Sequence, residues 1–413
     1  MFNISNYPKY IITLLAIVIV LDSFLGMGED GIRIYSNMLN MVSFILCIFI
    51  LYKIKMKDDI FIRTLILYSI MIIISTIFKI LNTSFSISLL SRSIQYIYWS
   101  LFAIMMYKLG YSTTKHGIYN KYKDYFLFIC RILLIFLVIK TIYMGIFHKS
   151  FFIGSKSFYI EFLIRNPYLI AWLTPLLFLW KSKYNIYIAA IAVFAILLTS
   201  KRGPLVCIGL SCIPLIPRLK FPNLLKYTII ATILGGILIA YNPDVIETFL
   251  ERWDPSNSKY ASSDAEALTS SRSTIWSILL RTYSQGNLFQ FFFGMGFNST
   301  TEITGRIMGI GIFAHNDWIE LLVNWGILGV VLFLILHIYH FYTLFIKCKK
   351  IKSTEILTCR FIYMMYILAN FYTQAICGVS QSFIFIFTAF YLGRIHYVNT
   401  KKMNKYPQQY LTP

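Results

Sequence analysis

The chain has 413 residues, of which 58% are hydrophobic, 17% are aromatic and only 13% carry charge, which is too apolar for a soluble globular protein of this length. In a soluble protein the net charge of +21 would raise nucleic acid as a partner. No RNA- or DNA-binding module is readable, so nucleic-acid binding is set aside and the charge is read as a topology signal.

A membrane-spanning helix needs about 20 mostly apolar residues, because backbone amides cannot be left unpaired in hydrocarbon. That rule predicts an all-α polytopic protein of about twelve spans, near residues 9–26, 36–53, 60–81, 86–107, 125–147, 162–180, 184–200, 203–217, 224–241, 317–345, 357–377 and 380–397. The first apolar segment lacks a small-residue cleavage site and is read as an uncleaved helix. With the amino terminus in the cytoplasm, 21 of the 38 basic residues fall on cytoplasmic loops or tails, among them Lys53, Lys55, Lys57, Lys108, Lys115, Lys347 and Lys349. This agrees with the positive-inside rule and puts both termini in the cytoplasm. Three regions follow: spans one to nine (1–241), a large extracytoplasmic loop (242–316), and spans ten to twelve with a cytoplasmic tail (317–413).

Arg165, in RNPYLIAW at the start of the sixth span, is predicted to be extracytoplasmic. The segment LLTSKRGPLVCIGL then breaks between two short spans, and Gly203 and Pro204 turn the chain so that Lys201 and Arg202 sit just outside the bilayer. Basic residues on that side run against the positive-inside rule, which suggests an anionic partner. A phosphate or pyrophosphate suits the guanidinium fork, while the bland reading is snorkelling to lipid headgroups.

The loop of residues 242–316 holds seven of the 17 acidic residues and is long enough to suggest function rather than filler. Arg252 stands beside Trp253. Ser270 or Ser271 is expected to cap an amphipathic helix to about Ser284, with Ile275, Trp276, Leu279 and Leu280 on one face and Arg272 and Arg281 off it. Such a helix would rest at the membrane interface with Trp276 at headgroup level. In FFFGMGFNST, Gly294 and Gly296 predict a tight turn back towards the bilayer. Taken singly, these arginines read as solvated loop charges. Arg202, Arg252 and Arg272 gain meaning from sharing one membrane face, where they would hold a diphosphate and stabilise its departure. Arg281 and Arg306 are weaker candidates of the same type.

His315, followed by Asn316, Asp317 and Glu320, stands at the mouth of the tenth span. An ordinary imidazole accepts a proton at neutral pH, which fits a base acting on a sugar hydroxyl. Asp317 and Glu320, three apart, share a helix face where one would orient the imidazole or share the base role. The structural alternative is that His-Asn caps the helix, with Asp317 complementing its dipole. Further charges in or at the ends of spans (Arg63, Lys79, Arg92, Arg131, Lys140 and Arg360) are mostly expected to snorkel. The seven cysteines show no metal-ligand or disulfide spacing, and no Walker-type glycine loop or acidic metal cluster is present, so neither cofactor nor metal is expected.

The order TSKRGPL, RW, SRSTIW, GMGFN and AHNDWIELLVNWGILGVVLF, over roughly residues 165–345, resembles the O-antigen polymerase and O-antigen ligase superfamily of bacterial envelope proteins. The resemblance implies a metal-independent, GT-C-like glycosyltransferase of the inner membrane that uses undecaprenyl-diphosphate-linked glycans as donors. By the same resemblance, Arg202 and Arg272 would contact the donor pyrophosphate and His315 would activate the acceptor hydroxyl, with inversion at the anomeric carbon. Lys201 departs from the family turn, which often has Ser or Thr before the arginine, and its role is left open. The polymerase is preferred over the ligase, whose acceptor is lipid A core, and a flippase and a chain-length regulator are expected partners. A transporter or flippase would also show about twelve spans, but has no need of the long loop, and the two similar halves common in such proteins are not visible.

Overall fold

The computed structural model describes residues 59–82, 87–147, 167–179, 184–198, 202–212, 272–349, 353–372 and 379–405, with scattered positions between 9 and 52 and between 229 and 236. Expectations for the first, second and ninth spans, for residues 242–271 and for the chain beyond 405 fall largely or wholly outside these residues.

Among the described residues all regular structure is helical. Its elements are α1 (Ile60–Asn82), α2 (Ile87–Lys115), α3 (Tyr119–Phe147), a 3-10 turn (Thr174–Leu179), α4 (Asn185–Leu198), α5 (Arg202–Cys212), α6 (Arg272–Ser284), α7 (Leu288–Phe293), α8 (Ser299–Met308), α9 (Asp317–Phe341, continued by a π-turn Tyr342–Lys347), α10 (Thr354–Tyr372) and α11 (Val379–Lys405). Three helical stretches, Ile60–Leu81, Tyr119–Tyr143 and Asp317–Lys347, are long and apolar enough to cross a membrane. The chain is therefore an all-α membrane protein.

Several threonines within these helices hydrogen-bond to their own helix backbone, as hydrocarbon surroundings favour. Thr64 donates to the Ile60 carbonyl at 2.8 Å, Thr76 to Ile72 at 2.7 Å and Thr141 to Leu137 at 2.8 Å. The closest helix pair is α2 with α11. A Cβ on Gly110 would overlap the Phe390 carbonyl, and one on Gly393 would overlap that of Tyr107, so these glycines let the two backbones meet.

Helix α1 defines two ends of the bundle. At its start, Asp59 accepts hydrogen bonds from the Tyr107 hydroxyl, from Tyr339 at 2.5 Å and from the Ile60 amide at 2.7 Å, and pairs with His396 Nδ1 at 3.2 Å. One carboxylate thus ties α1, α2, α9 and α11. Nearby in the sequence order of turns, Glu355 receives Lys123 at 2.8 Å and also Arg394, whose guanidinium lies 4.5 Å from the Tyr119 ring centre. Arg360 donates to the Leu344 and Cys348 carbonyls at 2.9 and 3.0 Å and closes the π-turn. At the other end of α1, buried Lys79 donates to Ser299 at 3.1 Å and pairs with Glu302. Lys79 and Arg360 therefore bind protein groups, where snorkelling was expected.

The tenth expected span is not one straight helix. Gly326 has φ +67° and ψ −168°, which breaks α9 into two arms. In a straight helix Trp318 and His337 would stand about 28 Å apart along the axis. Their ring centres are 5.5 Å apart, and Trp318 lies 5.1 Å from Phe333. The first arm, residues 317–325, therefore folds back against the second at an acute angle. Only the second arm, through the π-turn to Lys347, retains the length of about 20 residues that a crossing needs.

Candidate functional site

Residues 272–316 form a compact unit beside the first arm of α9. The face of α6 that is buried is Ile275, Leu279 and Tyr283, which pack with Ile303, Ala314 and Val323. Leu280, expected on that face, is exposed. Burial pushes the Tyr283 phenol above its ordinary pKa, opposed by a backbone hydrogen bond at Ile327. The Trp276 indole Nε1 donates to the Ala314 carbonyl at 2.7 Å. The i, i+4 spacing puts Arg272, at the start of α6, one turn from Trp276 on the same side. The helix that carries Arg272 is thus fastened to the residue preceding His315.

Three connections hold the turn at His315. The Ala314 amide donates to Glu320 Oε2 at 3.0 Å, while its carbonyl accepts from Trp276. Asn316 is the N-cap of α9, its side-chain oxygen accepting from the Trp318 and Ile319 amides at 3.0 and 3.3 Å. Between these pinned neighbours His315 adopts φ +51°, a left-handed conformation uncommon for a residue with a side chain. Its ring is half-buried, whereas Asp317 and Glu320 are buried. The capping reading of Asn316 is correct.

Glu320 was expected to orient the imidazole or share its role as a base. Its carboxylate instead accepts from the Thr300 hydroxyl at 2.5 Å, from Asn324 Nδ2 at 2.8 Å and from the Ala314 amide. It organises the backbone before His315 and joins α8 to α9. Thr300 and Asn324 were not singled out by the sequence, since a buried Thr and Asn carry no pattern of their own.

The break at Gly326 and the run GMG fit together. With the helix interrupted, the Val323 and Asn324 carbonyls accept from the Met295 and Gly296 amides at 2.8 and 3.2 Å, and Ser75 on α1 donates to Asn324 at 3.0 Å. Irregular backbone at such a place is tolerated because protein groups satisfy it. Gly294 has φ +83°, and a Cβ there would overlap the Asn324 carbonyl; a Cβ on Gly326 would overlap that of Phe292. The turn expected at Gly294 and Gly296 is present, and its partner is the broken helix.

The remaining predicted residues divide by position. Arg202 is the first residue of α5, and its side chain lies outside the described residues, as do Lys201, Arg252 and Arg165 altogether. The backbone still relates two of these segments: Gly203 faces the Tyr168 hydroxyl so closely that a Cβ would clash with it. Gly203 and Pro204 lie within α5 rather than in the expected turn, and the start of this helix meets Tyr168, three residues after Arg165. Helix α10 packs against both α5 and α9, so the helices that carry Arg202 and follow His315 share a neighbour. Among the described residues no group of His, Cys, Asp and Glu is arranged to hold a metal.

The described helices thus combine membrane-spanning length with a glycine-locked unit in which His315 takes a left-handed backbone conformation. Residues 187–334 match the O-antigen ligase family, and the match supports the resemblance to the O-antigen polymerase and ligase superfamily. It spans α4 to α9, including Arg202, Arg272, the Gly294 to Gly296 crossing and His315. A comparison with curated proteins returns no match.

Proposed function

We propose that the protein is a polysaccharide polymerase of the O-antigen type, joining undecaprenyl-diphosphate-linked repeat units on the outer face of a bacterial inner membrane. The observation that carries this reading is the turn at His315, locked on both sides and fastened through Trp276 to the helix that begins with Arg272. His315 takes the proton of an acceptor sugar hydroxyl, whose oxygen attacks the anomeric carbon of the donor. The bond from that carbon to the diphosphate oxygen breaks, and undecaprenyl diphosphate leaves. Arg272, with Arg202, Arg252 and Lys201, neutralises the charge that develops on the leaving group. Asn316, Asp317 and Glu320 position the turn, and Arg165 lines the approach. No cofactor takes part. The GT-C-like character, twelve spans, cytoplasmic termini, and a flippase and chain-length regulator as partners belong to the same proposal.

The family description favours a second reading, transfer of a finished glycan to lipid A core. Surface glycan from cells carrying His315→Ala or Arg272→Ala separates the two. Collapse of the long-chain ladder to a single repeat on core supports the polymerase. Loss of every capped core supports the ligase. Unchanged glycan at normal protein level removes both.

A further inference from the structure

Helix α7 is a short run, LFQFFF, with none of its residues buried. Leu288 is 74% exposed, and Phe289, Phe291 and Phe292 are exposed as well. Its one polar residue, Gln290, is turned back into a capping box with Asn287: the Asn287 side chain accepts from the Gln290 amide at 2.9 Å and the Gln290 side chain accepts from the Asn287 amide at 3.0 Å. What α7 offers to its surroundings is therefore leucine and phenylalanine.

The helix is held rigidly while offering that face. The Tyr283 hydroxyl donates to the Phe291 carbonyl at 2.6 Å, the Gly294 amide closes on the Gln290 carbonyl at 2.8 Å, and the GMG run follows directly onto the α9 backbone. An apolar surface kept in place by this many polar contacts is not a fraying end.

Its location identifies the occupant. The Phe289 ring lies against Phe78 of α1, with ring centres 4.6 Å apart and planes tilted by 36°. Along α1, Ile66, Ile70, Ile73, Ile77 and Leu81 are exposed at helical spacing, forming a continuous apolar stripe on a helix long enough to cross a bilayer. That stripe faces lipid acyl chains, and the exposed side of α7 adjoins its end. Lys79, one residue past Phe78, is withdrawn into the protein by Ser299 and Glu302, so its ammonium does not stand on the apolar surface between α1 and α7. At six residues, α7 is about 9 Å long and cannot cross a membrane. We infer that α7 is a membrane-inserted anchor, seated among the acyl chains of the leaflet at the Lys79 end of α1, which fixes the depth of the His315 unit relative to the lipid surface.

The inference needs only the membrane reading of α1 and stands apart from the proposed chemistry. Leu288→Cys and, as a polar control on the same unit, Ser277→Cys are labelled with an environment-sensitive fluorophore in the full-length protein. Both are reconstituted in phosphatidylglycerol and phosphatidylethanolamine vesicles, and wild-type labelling is subtracted. The expected result is blue-shifted emission at position 288 that is quenched several-fold more by doxyl-labelled lipid than by aqueous iodide, with the order reversed at position 277. Iodide quenching at 288 equal to that at 277 would overturn the anchor. So would a 288 label reached by neither quencher, since a protein surface would then cover α7. Because both sites are exposed, folding is not at stake, and normal glycan synthesis by Leu288→Cys keeps this outcome separate from that of the His315 variants.

Discussion

The Oε2 atom of Glu320 accepts the amide of Ala314 at 3.0 Å, so a carboxylate in the first turn of α9 fixes the backbone immediately before His315. Replacing Glu320 by Ala leaves that amide, the Thr300 hydroxyl and the Asn324 amide without their acceptor. Unsatisfied buried groups cost about 1–3 kcal/mol each, so a loss of roughly 3 kcal/mol or more is expected, with smaller damage in Glu320→Gln, which keeps one oxygen. Thermal unfolding of purified protein in detergent checks the order. Equal stability of Glu320→Ala and wild type would contradict the role given to the carboxylate.

His315 separates chemistry from stability. Its left-handed backbone suits Asn better than other residues with a side chain, so His315→Asn is expected to melt at the wild-type temperature. Removal of a general base typically lowers a rate by about 100-fold to 10,000-fold. Polymer formed from lipid-linked repeat units in vesicles should fall by at least the lower figure. Retained activity would dismiss the imidazole as base.

Gly326→Ala is expected to be among the most damaging single changes to this unit. It meets a positive φ and a steric conflict with the Phe292 carbonyl together, and relief would require GMG to leave the α9 backbone. A loss of about 2–4 kcal/mol is expected from such backbone strain combined with lost hydrogen bonds. Protease sensitivity between α6 and α9 reads it, and an unaltered digestion pattern would argue against the interlock.

Lys79 and Glu302 differ in exposure, the lysine side chain at 9% and the glutamate at 41%. Solvent screening of the glutamate keeps the coupling modest, about 1 kcal/mol in a double-mutant cycle. Glu302→Gln removes the counter-charge of the buried ammonium, which keeps its bond to Ser299, and should destabilise more than Lys79→Met, which substitutes an apolar chain of similar length. The reverse order in melting temperature would refute this.

Asp59 supplies a dependence on acid. Burial raises its pKa, but hydrogen bonds from His396, Tyr107, Tyr339 and the Ile60 amide outweigh that and hold it below the ordinary carboxylate value of about 3.9. A lowered folded-state pKa contributes stability that is present above the unfolded value and is lost as pH falls through the folded one. The stability gap between wild type and Asp59→Asn should therefore be constant near neutrality and narrow only below about pH 4. A gap that narrows between pH 6 and 8 would point to another group.

The sequence by itself determined the all-α membrane class, the helix from about residue 272 to Ser284, the Asn316 cap and the turn at Gly294 and Gly296. Those features rest on local signals: uninterrupted apolar length, helical periodicity after a pair of serines, glycines either side of Met295, and an Asn at a helix start. The same local reading carried Asp317 to Phe345 through as one span, because the apolar run continues across Gly326 and hydropathy does not register a single positive φ. Lys79 likewise read as a snorkelling charge, since its partner Glu302 lies far along the chain. Tertiary structure alone decided that Glu320 holds Ala314, that Trp276 reaches it from α6, and that GMG occupies the carbonyls freed by the break. Each of these depends on which groups a folded backbone leaves unsatisfied, and that is settled only when distant segments meet.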